Sequence, residues 1–167
     1  HTATGVVKNG GSKVEVTLSD GTTVEGVVGA DEKWRVMLPK RPASDKPVAI
    51  TVRSGKETKT ISNILFGDVW FGCGQSNMAF KFKDFGWKAE GAKEFVAQAN
   101  NDRIRILLMD VQNAGFPQEN APGVAWKCSD PKDETSVANF SAALYWFGDK
   151  LQRELGVPIG LVSSSWG

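Results

Sequence analysis

The chain has 167 residues, enough for one ordinary domain or two small ones. Its 20 basic and 19 acidic residues nearly cancel, so charge does not indicate nucleic acid or an anionic membrane as a partner. No apolar stretch approaches the roughly 20 residues that a membrane-spanning helix needs. The composition, 41% apolar and 23% charged, is typical of a globular protein that buries a core.

The first 66 residues have the pattern of short strands separated by turns. Residues 13–18 and 22–28 alternate polar and apolar side chains and flank Asp20-Gly21, a strong hairpin signal because glycine accepts the positive φ of the turn. Further strands are predicted at 34–38, 48–52 and 58–65, with a proline-containing loop at 39–47. Short strands at this spacing predict a β-sandwich or jelly-roll module over residues 1–66.

From residue 67 onward, predicted strands alternate with predicted helices. An apolar strand ends at Gly72-Cys73-Gly74, and the alternation at 78–82 predicts an extended loop after it. Helices are predicted at 87–100 and 140–155, strands at 103–109 and 157–162, and a loop-rich segment at 110–139. Gly156 and Pro158 are expected to end the second helix. This order predicts a parallel sheet with crossover helices, an α/β domain over residues 67–167.

Ser76 lies directly after the first of these strands. Gly72 and Gly74 permit a sharp turn, and the amides of Gln75 and Asn77 flank the serine. A hydroxyl at the carboxyl end of a buried strand is a typical nucleophile position in an open α/β sheet. A serine that only caps the turn is the alternative. The motif also departs from the Gly-x-Ser-x-Gly elbow, because no glycine follows Asn77, so spacing alone leaves both interpretations open.

Two sequence blocks resemble those of the sialate O-acetylesterases, which are SGNH-type hydrolases. One is Gly-Asp-Val-Trp at 67–70 with Gly-Gln-Ser-Asn-Met at 74–78, and the other is Ser-Ser-Trp-Gly at 164–167, after the helix and strand of 140–161. The segments 126–129 and 34–38 also resemble parts of that family. The resemblance implies a flavodoxin-like three-layer parallel α/β domain, of which 67–167 is the first half, preceded by the β module of 1–66.

The resemblance also implies roles for individual residues. Ser76 is expected to be the acetyl-accepting nucleophile, the backbone N–H groups of Ser76 and Gly167 to bind the oxyanion, and Gly74, Gln75 and Asn77 to support the nucleophile turn. Such proteins carry a Gln-Gly-Glu block with a further oxyanion donor and an Asp-x-x-His block with the base, and neither occurs here. We therefore expect a second polypeptide segment or chain to supply both blocks, and the 167 residues to be a segment of a larger protein.

The activity implied by the resemblance is removal of O-acetyl groups from sialic acids or related acetylated glycans. No cofactor is implied, and the expected location is the secretory pathway, the lysosome, the extracellular space or the periplasm. Two alternatives remain open. One is an acetyl xylan esterase-like activity on plant polysaccharide, and the other is a non-catalytic carbohydrate-binding protein that retains the fold.

Other residues carry weaker expectations. His1 is the only histidine, but a chain terminus is commonly mobile, so it is a poor candidate for the base. Asp68 starts the strand that precedes Ser76 and therefore lies a strand length away from it. Three aromatic residues after the serine are candidates for a sugar-binding rim, although core packing is their commoner role: Phe82, Phe85 and Trp87.

No metal site is indicated, because the sequence has no histidine cluster and no Cys-x-x-Cys. Cys73 and Cys128 specify no disulfide framework, and each is expected to be a small buried apolar group rather than half of a disulfide. Asn139-Phe140-Ser141 matches the N-glycosylation triplet, but such triplets arise often by chance and Phe140 is expected in a helix core.

Overall fold

The computed structural model describes residues 1–8, 10–85, 90–109, 115–118, 121 and 123–166. The chain divides into two compact units, His1–Phe66 and Gly67–Gly167, and each contains its own cluster of buried apolar side chains. Among the described residues, no helix is long and apolar enough to cross a membrane.

The first unit consists of two antiparallel sheets that share one core. Its strands are β1 (Thr2–Val6), β2 (Lys13–Leu18), β3 (Thr23–Val27), β4 (Lys33–Met37), β5 (Ser44–Ser54) and β6 (Glu57–Phe66). β1 pairs with β4, and the other four strands form a sheet in the order β3-β2-β5-β6. The inward faces of β2 and β4 supply buried side chains, since alternate residues of a strand point to opposite faces: Val14, Val16, Leu18, Trp34 and Val36.

The hairpin between β2 and β3 is confirmed. The N–H of Gly21, which has φ of +90°, donates to the Leu18 carbonyl, as the turn requires. The Asp20 carboxylate accepts hydrogen bonds from the Thr22 N–H and from Arg41. These bonds lower the pKa of Asp20 to about 2, and the bond from Thr22 has the largest effect.

Two features of the first unit differ from the prediction. β1 was not predicted, because five residues at a chain terminus give too short a pattern to distinguish from a loop. β5 begins at Ser44, inside the predicted loop of 39–47, and includes Pro47. Its pairing with β6 shifts register on both sides of Val48, and such irregularities are where a strand tolerates proline.

The second unit is an α/β arrangement, as predicted. Its elements are β7 (Asp68–Gly74), α1 (Ser76–Ala79), α2 (Ala92–Gln98), β8 (Asn101–Leu108), β9 (Lys127–Ser129), α3 (Ala142–Leu155) and β10 (Ile159–Ser165), with 3-10 turns at Phe82–Phe85 and Val137–Asn139. The strand order is β7-β10-β8-β9. β10 runs parallel to both β7 and β8, which confirms the predicted parallel sheet, whereas β9 is antiparallel to β8.

Three predicted segments need correction. The segment after Ser76 is not extended but forms α1, because the Gln75 carbonyl accepts from the N–H groups of Met78 and Ala79. The apolar residues Met78 and Phe82 are four positions apart, so a spacing taken for strand alternation also suits a chain that turns. α2 is shorter than the predicted 87–100, and residues 86–89 lie outside the described part of the chain. The loop-rich segment contains the short strand β9.

The helix α3 has clear sequence boundaries at both ends. The Ser141 hydroxyl accepts from the Leu144 N–H as the N-cap, and Gly156 adopts φ of +68° as the C-cap. Ser141 is also the third residue of the glycosylation triplet, and in the folded chain it is buried and occupied by this capping bond.

α3 covers one face of the parallel sheet at very short range. A Cβ added at Gly148 would lie 2.5 Å from Leu161 of β10, and one added at Gly72 of β7 would lie 2.7 Å from Leu144 of α3. The helix therefore packs directly on the central strand. The opposite face of β7 carries Val69 and Phe71, which are 66% and 65% exposed.

We predict that Gly148→Ala destabilises the second unit, although alanine favours a helix by about 1 kcal/mol over glycine. The added methyl group overlaps Leu161, and overpacking of this kind costs about 1–3 kcal/mol. Urea unfolding of the chain is the measurement, and Ala143→Gly at an exposed position of the same helix reports propensity alone. A rise in unfolding free energy for Gly148→Ala would contradict the close packing.

Candidate active site

The carboxyl ends of β7 and β10 lie side by side. The register of the parallel pair sets Ser164 against Cys73 and Ser165 against Gly74. One residue further along, the backbone N–H of Trp166 donates to the Gly74 carbonyl at 3.1 Å. The two sequence blocks are therefore joined at one edge of the sheet, directly before Ser76.

Ser76 is the first residue of α1 and is exposed. Its carbonyl accepts from the Phe80 N–H at 2.9 Å, while the N–H groups of Met78 and Ala79 both donate to Gln75. Among the described residues, neither the hydroxyl nor the N–H of Ser76 has a hydrogen-bond partner. Both groups thus remain available to a bound molecule.

Backbone hydrogen bonds hold this turn, and within the described part of the chain neither flanking amide side chain forms a hydrogen bond. Gln75 and Asn77 are exposed, and the Gln75 side chain makes no capping bond. Gly74 has φ of +152°, and a Cβ there would lie 3.0 Å from the Met78 side chain. Met78 in turn packs against the core and reaches within 3.1 Å of a Cβ position at Gly72. Because neither glycine has a side chain, the Met78 side chain can pack directly against the backbone of the strand end that precedes Ser76.

Several candidate residues do not join this edge. Asp68 begins β7, opposite Ile159 in register, so the whole strand, about 20 Å at 3.3 Å per residue, separates it from Ser76. The Asp68 N–H donates to the Pro158 carbonyl, a structural contact at the far end of the sheet. His1 belongs to the first unit, where its ring packs edge-on against Phe66 at 5.0 Å.

For Phe82 the core-packing alternative holds, and the sugar-binding rim does not. Its side chain has no exposed surface and its ring lies 4.9 Å from Trp146 and 5.7 Å from Phe95, so it is a core residue of the second unit. Trp87 and the side chain of Phe85 lie outside the described residues. Gly167, the expected second oxyanion donor, also lies outside them.

Two buried serines near the sheet differ in their hydrogen bonding. Ser129 on β9 donates to the Ala99 carbonyl at 2.6 Å and shares a short hydrogen bond with the Tyr145 hydroxyl. Ser163 on β10 is 1% exposed, yet its hydroxyl has no hydrogen-bond partner among the described residues. It sits opposite Gly72 in register, two residues before the Ser165–Gly74 pair. The strand predicted from the sequence ends at residue 162, whereas β10 continues through Ser163 to Ser165.

Among the described residues, no titratable side chain is hydrogen-bonded to Ser76. Burial raises the pKa of the Tyr145 phenol, which keeps it protonated in the core. No group of three potential metal ligands occurs within the described ranges.

No family model matches the chain. Among curated proteins it is 33% identical to the sialate O-acetylesterase of Rattus norvegicus and 31% identical to that of Homo sapiens, in each case over 94% of the chain. The resemblance inferred from the two motifs is confirmed. The chain is similar to sialate O-acetylesterases along nearly its whole length.

A solved structure supports the same relationship. A carbohydrate acetylesterase from Xanthomonas citri superimposes with a TM-score of 0.89 and 28% identity over 99% of the chain. The chain spans about a third of the length of these proteins: 31% of the rat protein, 32% of the human one and 36% of the Xanthomonas chain.

We predict opposite effects on stability for the two buried serines. Ser163→Ala removes an unpaired hydroxyl and should raise the free energy of unfolding by about 1 kcal/mol, whereas Ser129→Ala leaves the Tyr145 hydroxyl without its partner and should lower it by about 1–3 kcal/mol. Chemical denaturation of both variants measures this. If Ser163→Ala destabilises as strongly as Ser129→Ala, the Ser163 hydroxyl has a partner.

Proposed function

We propose that this chain contributes the nucleophile of a serine esterase that removes O-acetyl groups from sugars. One observation carries the proposal: the hydrogen bond from Trp166 to Gly74, which joins the second motif to the turn of Ser76 at one sheet edge. The names of the similar proteins, sialate O-acetylesterase and carbohydrate acetylesterase, support the substrate class. The finer proposal is a sialate O-acetylesterase acting on O-acetylated sialic acid or a related glycan.

The proposed reaction is acyl transfer in two steps. The Ser76 oxygen attacks the acetyl carbonyl as its proton passes to a histidine, and the sugar hydroxyl leaves with that proton. Water then attacks the acetyl-serine and releases acetate, so that serine and histidine are regenerated. The N–H of Ser76 is at the start of α1 and forms no hydrogen bond within the described residues, so it can donate to the oxyanion. Gly167 is proposed as the second donor because it follows Trp166 directly.

The histidine is proposed to come from outside these 167 residues. The only histidine of the chain is His1, whose ring packs against Phe66 in the first unit. A second polypeptide segment or chain that carries Gln-Gly-Glu and Asp-x-x-His blocks would supply the base, its orienting carboxylate and a further oxyanion donor. No cofactor enters this chemistry. The chain alone is therefore expected to be inactive as an esterase, or nearly so, unless a second chain completes it.

We also propose that the second unit is the first half of an SGNH-type, flavodoxin-like three-layer domain. α3 covers one face of the sheet, while Val69 and Phe71 expose apolar surface on the other. A further helical layer on that face would bury them. The first unit is then the β-sandwich or jelly-roll module that precedes the esterase domain. The secretory pathway, the lysosome, the extracellular space and the periplasm are the proposed locations.

We predict that Ser76→Ala reduces acetate release from an O-acetylated sialic acid by about 10⁴-fold or more, because removal of a nucleophilic serine costs at least that much. The assay uses the chain together with a polypeptide that carries the two missing blocks. Acetylated xylan is the parallel substrate, and faster release from it would favour the acetyl xylan esterase alternative. Ser62→Ala, an exposed serine of the first unit, is the matched control and should keep full activity.

A serine-directed organophosphonate gives an independent test. Labelling of the assembled protein should map to Ser76 and disappear in Ser76→Ala but not in Ser62→Ala. Labelling at another serine, or none at all, would contradict the esterase proposal and favour a carbohydrate-binding protein with this fold.

A further inference from the structure

The two sheets of the first unit are unequal, and their mismatch leaves a cleft. The four-stranded sheet faces a partner of only two strands, β1 and β4. A cleft of about 760 Å³ lies beside β1, and core side chains form part of its lining. These include Trp34, Ile50, Val52 and Phe66. The cleft is bounded by β1 on one side and by β6 on the other.

The backbone of β1 offers a free edge to this cleft. The Leu38 N–H donates to His1 and the Val7 N–H donates to Glu32, so in this antiparallel pair the odd-numbered residues of β1 bond β4. The N–H and C=O groups of Thr2, Thr4 and Val6 therefore point away from β4. Within the described residues β1 pairs with no other strand.

The inner face of β6 is exposed where the smaller sheet stops. In the ladder, Ile61 pairs with Ile50, and Ile50 pairs with the buried Leu18, so these side chains share the core face. Lys59 and Val52 lie in the next such row. Ile61 is nevertheless 51% exposed, because no strand of the described residues lies opposite it. A strand added to β1 would lie over this row.

We propose that the cleft binds one β-strand of a polypeptide segment from outside these 167 residues, which becomes the third strand of the smaller sheet by pairing with β1. Its inward side chains are apolar, to cover Ile50, Val52 and Ile61, and its outward ones are polar. The similar proteins are about three times as long as this chain, so ample polypeptide exists in them to supply such a strand. This inference concerns the first unit alone, so its test is independent of whether Ser76 is a nucleophile.

The test supplies the strand covalently. A segment in which three valines alternate with threonines is joined ahead of His1 by about ten Gly and Ser residues, which keeps its local concentration in the millimolar range. Amide hydrogen exchange of β1 is then compared with that of the chain alone. Exchange should slow at least tenfold at Thr2, Thr4 and Val6, with little change at Ala3 and Gly5, which already bond β4.

Matched variants separate cleft binding from non-specific pairing. Thr4→Pro removes one outward N–H without breaking a bond to β4 and should abolish the protection. Ile61→Asp places a charge in the cleft and should abolish it too, whereas Val27→Asp, an exposed position on β3, should not. Thermal unfolding of the variants without the added strand verifies that each still folds.

Three results would overturn the proposal. The first is no added protection at Thr2, Thr4 and Val6. The second is equal protection from a segment of the same composition with its valines consecutive, or in the Ile61→Asp variant. The third is a dimer of the unmodified chain in sedimentation that already protects these amides, since a second copy would then occupy the cleft.

Discussion

The arrangement of the second unit depends on the position of β10 between β7 and β8. Because β10 is parallel to both neighbours, the strands end at one edge, and the Trp166 N–H can reach the Gly74 carbonyl. This edge brings the segment 164–166 next to the turn that carries Ser76. The turn is held by backbone bonds and by Met78 folded against glycine, so the hydroxyl needs no side-chain partner to keep its place.

Much of the second unit could be predicted from local sequence signals. α3 has an apolar face, a serine at its start and a glycine at its end, and all three agree. The segment after Ser76 was harder, because Met78, Phe80 and Phe82 suit an alternating strand equally well. The packing of Met78 against a core that includes Leu144 and Tyr145 of α3 decides between the two conformations, and those residues are distant in the sequence.

In the candidate site, too, some features are visible in the local sequence and others depend on contacts between distant residues. A glycine-rich strand end followed by serine is visible in the sequence, and so is the second block at 164–167. The burial of Phe82 and the unpaired hydroxyl of Ser163 are not, since both depend on how closely α3 approaches the sheet. In the first unit, β1 is too short to recognise by itself and becomes a strand only by pairing with β4.

The central place of β10 has a consequence for the order of folding. Ile159 pairs with Asp68, about ninety residues earlier in the chain, so the sheet closes through contacts of high sequence separation. Such contacts cost loop entropy before they return any stability, and they slow folding. During synthesis, β7, α2 and β8 leave the ribosome without the strand that lies between them. The serine turn therefore acquires its neighbour only after α3 and β10 have emerged, and the backbone N–H and C=O groups of β7 and β8 that pair with β10 stay unpaired until then.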